Sequence, residues 1–185
     1  VNIRGNSLQA VYADLKTAMP KIDTFLATQG IPAEEIVAIA INAGSNIYFD
    51  EDQQGRRIQH VTFFANRSYK VTSTDIDRLE RVSRSAGDLI AQGVALDSVS
   101  LEYMYTKLAD LRTNLLERAT EDAKKRAEAI ASSSGAKIGA IKSARMGVFQ
   151  ITPRYSTMVD DYGINDTSSR LKDVTAVVGA EFRLK

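Results

Sequence analysis

The chain contains one histidine, His60, and imidazole is the side chain best suited to acid–base chemistry near neutral pH. His60 lies between Gln59 and Val61, in a segment whose apolar residues alternate as in a strand. A serine-type mechanism needs a second group that orients the ring, and a zinc site needs further ligands, but the neighbouring sequence supplies neither. We interpret His60 as a surface or edge-strand residue and assign no catalytic residue.

The segment that begins at Asp50 resembles the start of a calcium-binding loop. Asp50, Asp52, Gln54 and Gly55 follow the spacing of such a loop. However, the fifth position carries no acidic oxygen, and the twelfth position is Val61 where the loop requires glutamate. We interpret the segment as a hairpin turn.

A second acidic segment contains Asp160, Asp161, Asn165 and Asp166, which could hold a cation weakly. A solvated acidic loop is the interpretation that we favour, because such clusters in polar segments are usually hydrated. The sequence therefore predicts no metal site and no cofactor.

A row of arginines, Arg78, Arg81 and Arg84, could form a basic patch for an anionic partner, together with Arg56, Arg57 and Arg67. Acidic residues interleave with this row, which favours a mixed, solvated helix face. The whole chain has 24 Lys and Arg against 23 Asp and Glu, a net charge of +1. A nucleic-acid binder would concentrate uncompensated cations, so we expect no nucleic-acid partner. A glycine-containing segment, residues 135–139, follows a helix where a phosphate loop would precede one, so we reject a phosphate site there.

The composition is that of an ordinary globular protein, with 185 residues of which 44% are hydrophobic. There is no cysteine, which excludes disulfides, thiolate zinc sites and cysteine nucleophiles. No apolar run approaches the roughly 20 residues that a membrane helix needs. The chain opens at Val1 without methionine, so the sequence leaves open a targeting or anchoring segment that has been removed. We interpret residues 1–4 as a truncated first strand. Membrane association through such a segment stays open.

The elements of the first half can be read from hydrophobic periodicity. Steps of three and four predict a helix over residues 8–26, capped by Ser7 and kinked at Pro20. A strand is predicted over 36–41, extending towards Phe49 with Gly44 as a bulge, and another over 61–72. A second helix, capped by Ser73 or Thr74, runs to residue 90, and residues 98–105 alternate as a half-buried strand. With residues 1–4 as the first strand, the order is that of a split βαβ, ferredoxin-like antiparallel sheet with two helices.

A long third helix follows, over residues 108–133, and then two further strands, so the fold class is α+β. Alanines recur every four residues in this helix: Ala119, Ala123, Ala127 and Ala131. Such a row of small side chains predicts close packing against a sheet or another helix. Between Pro153 and Arg170 we expect a long connection without regular structure, and then a terminal strand from Val174 to Lys185.

Three passages resemble the SIMPL-domain family. They are the helix-to-strand segment from Phe25 to Ile36, the strand-to-helix segment from Val71 to Leu79, and the alanine-rich segment from Ala119 to Gly139, which is followed by the terminal strand. The resemblance covers nearly the whole chain and implies one domain over residues 1–185, with a βαββαβ part (1–106) and an αββ part (107–185). The family's hydrophobic motif before the third helix is replaced here by the segment from Val99 to Tyr103.

The resemblance implies a bacterial protein of the periplasm or cell envelope, and some members of the family are linked to oxidative-stress tolerance. At least one member forms a large ring-like or channel-like oligomer. The family has no established catalytic residues, so none can be transferred. We therefore expect a non-enzymatic envelope protein that self-associates, with a role in stress response as one expectation.

A homo-oligomer is also favoured on physical grounds, because antiparallel sheets leave edges that must be paired or covered. The terminal strand offers an apolar face and little charge on the other. The connection from Pro153 to Arg170 adds five candidate interface residues: Tyr155, Met158, Val159, Tyr162 and Ile164. The alternative is a small-ligand binder or enzyme that uses a pocket beneath this connection, lined by Tyr155, Tyr162 and His60.

Overall fold

A computed structural model describes residues 1–185. The chain forms two compact units, Val1–Leu101 and Glu102–Lys185, where the sequence suggested a division after residue 106. Each unit is mixed α+β and all its sheets are antiparallel, so the α+β class is confirmed.

The first unit contains five strands and three helices. They are β1 (Asn2–Gly5), α1 (Leu8–Thr28), β2 (Ile36–Ala38), β3 (Asn42–Glu51), β4 (Arg57–Asn66), β5 (Tyr69–Val71), α2 (Ile76–Ser85) and α3 (Gly87–Ala91). The strand order in the main sheet is β1-β4-β3, and β2 pairs with β5.

Helix α1 begins and ends where its sequence predicts. The Ser7 hydroxyl accepts a hydrogen bond from the Ala10 N–H at 3.2 Å, which satisfies one free donor of the first turn. The helix continues unbroken through Pro20, because the apolar face on both sides of the proline packs into the core. Gly30, with a φ of +74°, follows the helix and adopts the left-handed conformation that favours glycine.

The first strand of the predicted hairpin, from Ile36 towards Phe49, has other boundaries in the structure. The run from Ile36 does not extend to Phe49 as one strand: β2 and β3 are separate, and three residues (39–41) lie opposite two (67–68) on the partner side. This extra residue is the bulge, whereas Gly44 lies inside β3. A Cβ at Gly44 would lie 3.1 Å from the Phe64 ring, so a larger residue there would require this ring to shift.

The predicted strand over residues 98–105 does not form, and this interpretation was wrong. A single hydrogen bond, from the Asn2 N–H to the Ala95 carbonyl at 3.0 Å, joins the preceding segment to β1. The chain leaves the first unit at Leu101, and the Tyr103 N–H donates to the Thr167 carbonyl of the second unit. Residues 102–105, the second half of the predicted strand, therefore belong to the second unit.

The second predicted helix is divided in two at Ala86, and its cap is Asp75, not Ser73 or Thr74. The Ser73 hydroxyl is otherwise engaged, since it donates to Glu35 at 2.9 Å and accepts from Arg78. Ala86 and Leu89 are buried, and they join α1 residues in the main core of this unit.

The second unit contains α4 (Leu108–Ser133), β6 (Ile138–Met146), β7 (Gln150–Pro153), β8 (Lys172–Thr175) and β9 (Val178–Leu184). The long helix has the predicted bounds, and its alanine row is its least exposed face. That face lies against β6 and β9, as the row predicted.

The expected terminal strand is divided between two sheets. The strand is interrupted at Ala176 and Val177, so that β8 pairs with β7 and β9 pairs with β6. The alternation from Val174 to Phe182 is confirmed, with even-numbered residues partly buried. Leu184 is exposed, however, because it lies at the end of the strand.

Candidate functional site

His60 lies in β4 opposite Tyr48 of β3, and the two rings stack with centroids 5.0 Å apart. No group of three or more potential metal ligands occurs in the structure. The interpretation of His60 as a residue of the sheet surface is confirmed. Its ring packs against Tyr48 and stabilises the hairpin.

The segment that resembled a calcium loop is the β3–β4 turn. The Asp52 carboxylate accepts hydrogen bonds from the Gln54 and Arg56 backbone N–H groups at 2.9 and 2.8 Å. The Arg56 side chain donates to the same carboxylate at 2.7 Å. These bonds to the charged form hold the pKa of Asp52 below its usual value. The carboxylate is thus used to form the turn, as the sequence predicted.

The arginine row does not form an uncompensated patch. Arg78 is bonded to Glu35 at 2.7 Å, and Arg84 lies 3.9 Å from Glu80. Arg67 donates to the Ile39 carbonyl. The mixed-charge interpretation is therefore confirmed at these positions.

The acidic connection is less solvated than we expected. The Asp166 carboxylate is bonded to Lys172 at 2.9 Å, and both side chains are about nine-tenths buried. The Asp160 carboxylate accepts the Tyr162 N–H at 2.8 Å. Internal bonds thus engage both oxygens of the Asp166 carboxylate and one oxygen of the Asp160 carboxylate.

The connection is also not structureless, which corrects the sequence interpretation. The buried side chain of Gln150 donates to the Asp160 carbonyl at 2.6 Å and accepts the Ile164 N–H at 2.9 Å. Ile151 forms a parallel bridge with Asn165. The middle of the connection, from Asp160 to Asn165, is therefore fixed to β7.

Four of the five candidate interface residues are exposed to solvent. Tyr162 is 95% exposed, and Tyr155, Met158 and Val159 are each more than half exposed. Ile164 is partly buried. Exposed aromatic and aliphatic groups in one segment are typical of a contact surface.

The β3–β4 hairpin carries a second apolar surface that the sequence did not reveal. Helix α1 packs over Phe63 and Ala65 at the base of the hairpin. Further out on the same sheet face, Ile47, Phe49 and Val61 are 57%, 50% and 40% exposed. We call these three residues the hairpin strip. The sequence predicted strands through these positions, but no helix covers the three side chains in this unit.

The hairpin also has an unpaired edge. β1 pairs only with residues 63–66 of β4, so residues 57–62 have no strand on that side. Unpaired backbone groups on an edge strand accept a further strand readily. The apolar strip and the open edge therefore occur on the same element.

A shallow depression of about 620 Å³ lies beside the 153–170 connection. It is lined by Arg112, Phe149, Asp161 and Tyr162, among others, and is open to solvent. Arg112 lies over the Phe149 ring at 5.5 Å. Of the aromatic residues expected in a pocket here, only Tyr162 lines it.

No helix has an apolar stretch long enough to cross a membrane. The model of the SIMPL family, described as a protein of unknown function (DUF541), matches residues 1–182. No curated protein matches the chain. The family match covers both compact units.

Proposed function

The chain belongs to the SIMPL family, and from this premise we propose that it is a non-enzymatic bacterial envelope protein that self-associates. The observation that carries the proposal is the hairpin strip beside an open strand edge. Both features belong to one hairpin, so a second copy can engage both, by packing on the apolar face and by pairing along the edge. The occupant that we propose is a second copy of this chain.

Self-association stabilises such a hairpin in two ways. Burying Ile47, Phe49 and Val61 removes apolar area from water, which contributes about 25 cal/mol per Å². Pairing residues 57–62 with the same residues of another copy satisfies the edge backbone groups. Antiparallel pairing of identical edges generates a two-fold axis, the commonest symmetry of homo-oligomers.

The exposed residues of the connection supply a second contact surface. Tyr155, Met158, Val159 and Tyr162 lie in the other compact unit. Two separate surfaces on each copy would allow assembly beyond a dimer, because each copy can contact two neighbours. The ring-like assembly implied by the family resemblance is of this type.

The envelope location and a role in oxidative-stress tolerance rest on the family resemblance. Fractionation of the full gene product in a bacterial host tests the location, with recovery in the cytoplasm alone as the contrary result. The proposal further expects no nucleic-acid partner, and thus no retention on DNA at physiological salt.

A second candidate is a small-ligand binder or enzyme that uses the depression beside the connection. Arg112 and Asp161 provide charge there, which is the observation that favours it. A ligand that co-purifies in stoichiometric amount and is lost in Arg112→Ala would place this function first. Otherwise the absence of a paired nucleophile and base leaves it second.

The main proposal is tested by size-exclusion chromatography with light scattering at micromolar concentration. Wild type should show a multiple of the 20.3 kDa chain mass, and Ile47→Lys should reduce it. Asn46→Lys is the matched control, because Asn46 is exposed on the opposite face of the same strand. A monomeric wild type, or equal masses for both variants, would contradict the proposal.

A further inference from the structure

The outer side of the β6–β9 sheet, which points away from α4, is basic. Even-numbered residues of β9 are partly buried towards this helix, so odd-numbered residues point outwards. Five exposed cations lie on the outer side, and we call them the basic face: Lys137, Lys142, Arg145, Arg183 and Lys185. Glu181 is the one acidic residue among them. The basic face thus holds five of the 24 Lys and Arg residues of the chain, against one of its 23 acidic residues.

Strand pairing explains why these side chains share one side. Arg145 lies opposite Gly179, an odd-numbered residue of β9, and directly opposed residues point to the same side of a sheet. The backbones of Lys137 and Lys185 exchange hydrogen bonds of 3.4 and 2.7 Å, so these two residues are also opposed. The Lys185 side chain crosses Gly139, where an added Cβ would lie 3.3 Å from it. The glycines therefore leave room between the cations of the basic face.

Most of these charges have no acidic partner. Lys142 lies 3.6 Å from Glu181, and both side chains are about two-thirds exposed. No ion pair engages the other four cations of the basic face, which are Lys137, Arg145, Arg183 and Lys185. The exposed side of α4 differs, because its Lys125 lies 2.8 Å from Glu121, one turn away. Uncompensated charge in this unit is therefore concentrated on the sheet.

This arrangement of cations does not stabilise the fold. Like charges on directly opposed residues, such as Lys137 and Lys185, weaken the pairing of two strands. Cations that crowd one surface attract anions, because their electrostatic potentials add. The basic face is thus suited to a partner that carries many negative charges.

We propose that the basic face binds the surface of an anionic phospholipid bilayer. A bilayer surface is planar, so cations that project from one side of a sheet can reach its headgroups at the same time. Each Lys or Arg near such a surface strengthens binding by about 5-fold, and salt screens this attraction. A nucleic acid is longer than the basic face and would extend over the rest of the chain, where acidic residues outnumber Lys and Arg. The inference does not depend on self-association, because one chain carries the whole basic face.

Co-sedimentation of the whole chain with lipid vesicles tests the proposal. The vesicles consist of phosphatidylcholine alone or of phosphatidylcholine mixed with the anionic lipid phosphatidylglycerol. We expect the protein to bind only the vesicles that contain phosphatidylglycerol. This binding should weaken as the salt concentration is raised, because the attraction is electrostatic.

Three variants localise the binding. Arg145→Gln combined with Arg183→Gln removes two cations and should weaken binding by about 25-fold, or about 5-fold for each charge. Lys124→Gln combined with Lys125→Gln makes the same change of net charge on the exposed side of α4 and should have little effect. Glu181→Gln removes the acid and should strengthen binding. All five positions are exposed, so these variants should fold, which far-UV circular dichroism checks.

Three results would overturn the proposal. They are the absence of vesicle binding, equal binding to both kinds of vesicle, and an equal loss of binding in the two double variants. The protein may not be retained on DNA at physiological salt either. If it is retained there, and the variant Arg145→Gln with Arg183→Gln is not, the basic face belongs to a nucleic acid and the membrane proposal is wrong.

Discussion

The Lys172 ammonium lies 2.9 Å from the Asp166 carboxylate and also donates to the Asp166 carbonyl, in a site where both side chains are about nine-tenths buried. The Ser168 hydroxyl and the Ser168 and Ser169 backbone N–H groups donate to the same carboxylate. A buried charge is stable only with such compensation. The pair fixes the start of β8 to the end of the connection.

The first prediction concerns the pH dependence of this pair. Lys172 and then Ser168 hold the pKa of Asp166 well below its usual value of 3.8. Because the folded-state pKa is lowered, the stabilisation is present above about pH 4 and is lost as pH falls through the folded value. Asp166→Asn should therefore destabilise the protein at pH 7 and much less near pH 2.

Urea unfolding at both pH values measures this effect. Asp161→Asn is the control, because Asp161 is exposed in the same connection. A destabilisation by Asp166→Asn that is the same at both pH values would show that its charge does not contribute.

The second prediction concerns Gln150, which is 6% exposed and bonds to both Asp160 and Ile164. Gln150→Leu should leave the Ile164 N–H without a partner, remove one of the two hydrogen bonds to the Asp160 carbonyl, and destabilise the protein by about 1–3 kcal/mol. The connection should also become more sensitive to proteases, because two of its hydrogen bonds to β7 are lost while the backbone bonds of Ile151 remain. Gln59→Leu, at an exposed position, should have neither effect. Unchanged proteolysis of Gln150→Leu would show that other contacts hold the segment.

The third prediction concerns Arg78, whose guanidinium bonds to both oxygens of Glu35, to Ser73 and to the Gly30 carbonyl. A lysine ammonium cannot reproduce this planar arrangement of donors. Arg78→Lys should therefore destabilise the first unit by about 1–2 kcal/mol. Arg84→Lys should be nearly neutral, because Arg84 is 71% exposed. Thermal unfolding compares them, and equal melting temperatures would contradict the prediction.

The helices could be predicted because their signal is local. Steps of three and four in α1 and the alanine row of α4 depend only on neighbouring residues, and caps such as Ser7 are read from one position. The failed strand over residues 98–105 has an equally clear alternation. Alternation shows that a segment can be a strand, but not that a partner edge lies beside it.

The candidate surfaces were predictable in part. The exposure of Tyr155 and Tyr162 follows from their place in a polar connection. The exposure of Ile47 and Phe49 depends on how much of the sheet α1 covers. This is a property of the tertiary structure, which local sequence patterns do not contain.

The fourth prediction concerns the packing of the alanine row. Ala131 is 4% exposed at the end of α4, so a larger side chain has no free space there. Ala131→Leu should overpack this contact and destabilise the protein by about 1–3 kcal/mol. Ala129→Leu, on the exposed face of the same helix, should be neutral. Chemical denaturation compares them, and a neutral Ala131→Leu would show that the helix can move away from the sheet.

The last prediction concerns the connection as a contact surface. Deleting residues 158–165 would remove Ile164 and Asp160, whose bonds to Gln150 hold the unit together, so loss of assembly would not distinguish contact from misfolding. The combined substitution Tyr155→Ser, Met158→Ser and Val159→Ser keeps those bonds and removes apolar area.

We expect this triple variant to show a lower mass by light scattering at micromolar concentration, with an unchanged melting temperature when measured in the dissociated state. Exposed apolar side chains contribute to association but not to folding of the single chain. Thr157→Ala, at an exposed position in the same segment, should retain the wild-type mass. A triple variant that keeps the full mass would limit the self-association surface to the hairpin strip. Loss of assembly in both the triple variant and Ile47→Lys would show that each copy uses two contacts.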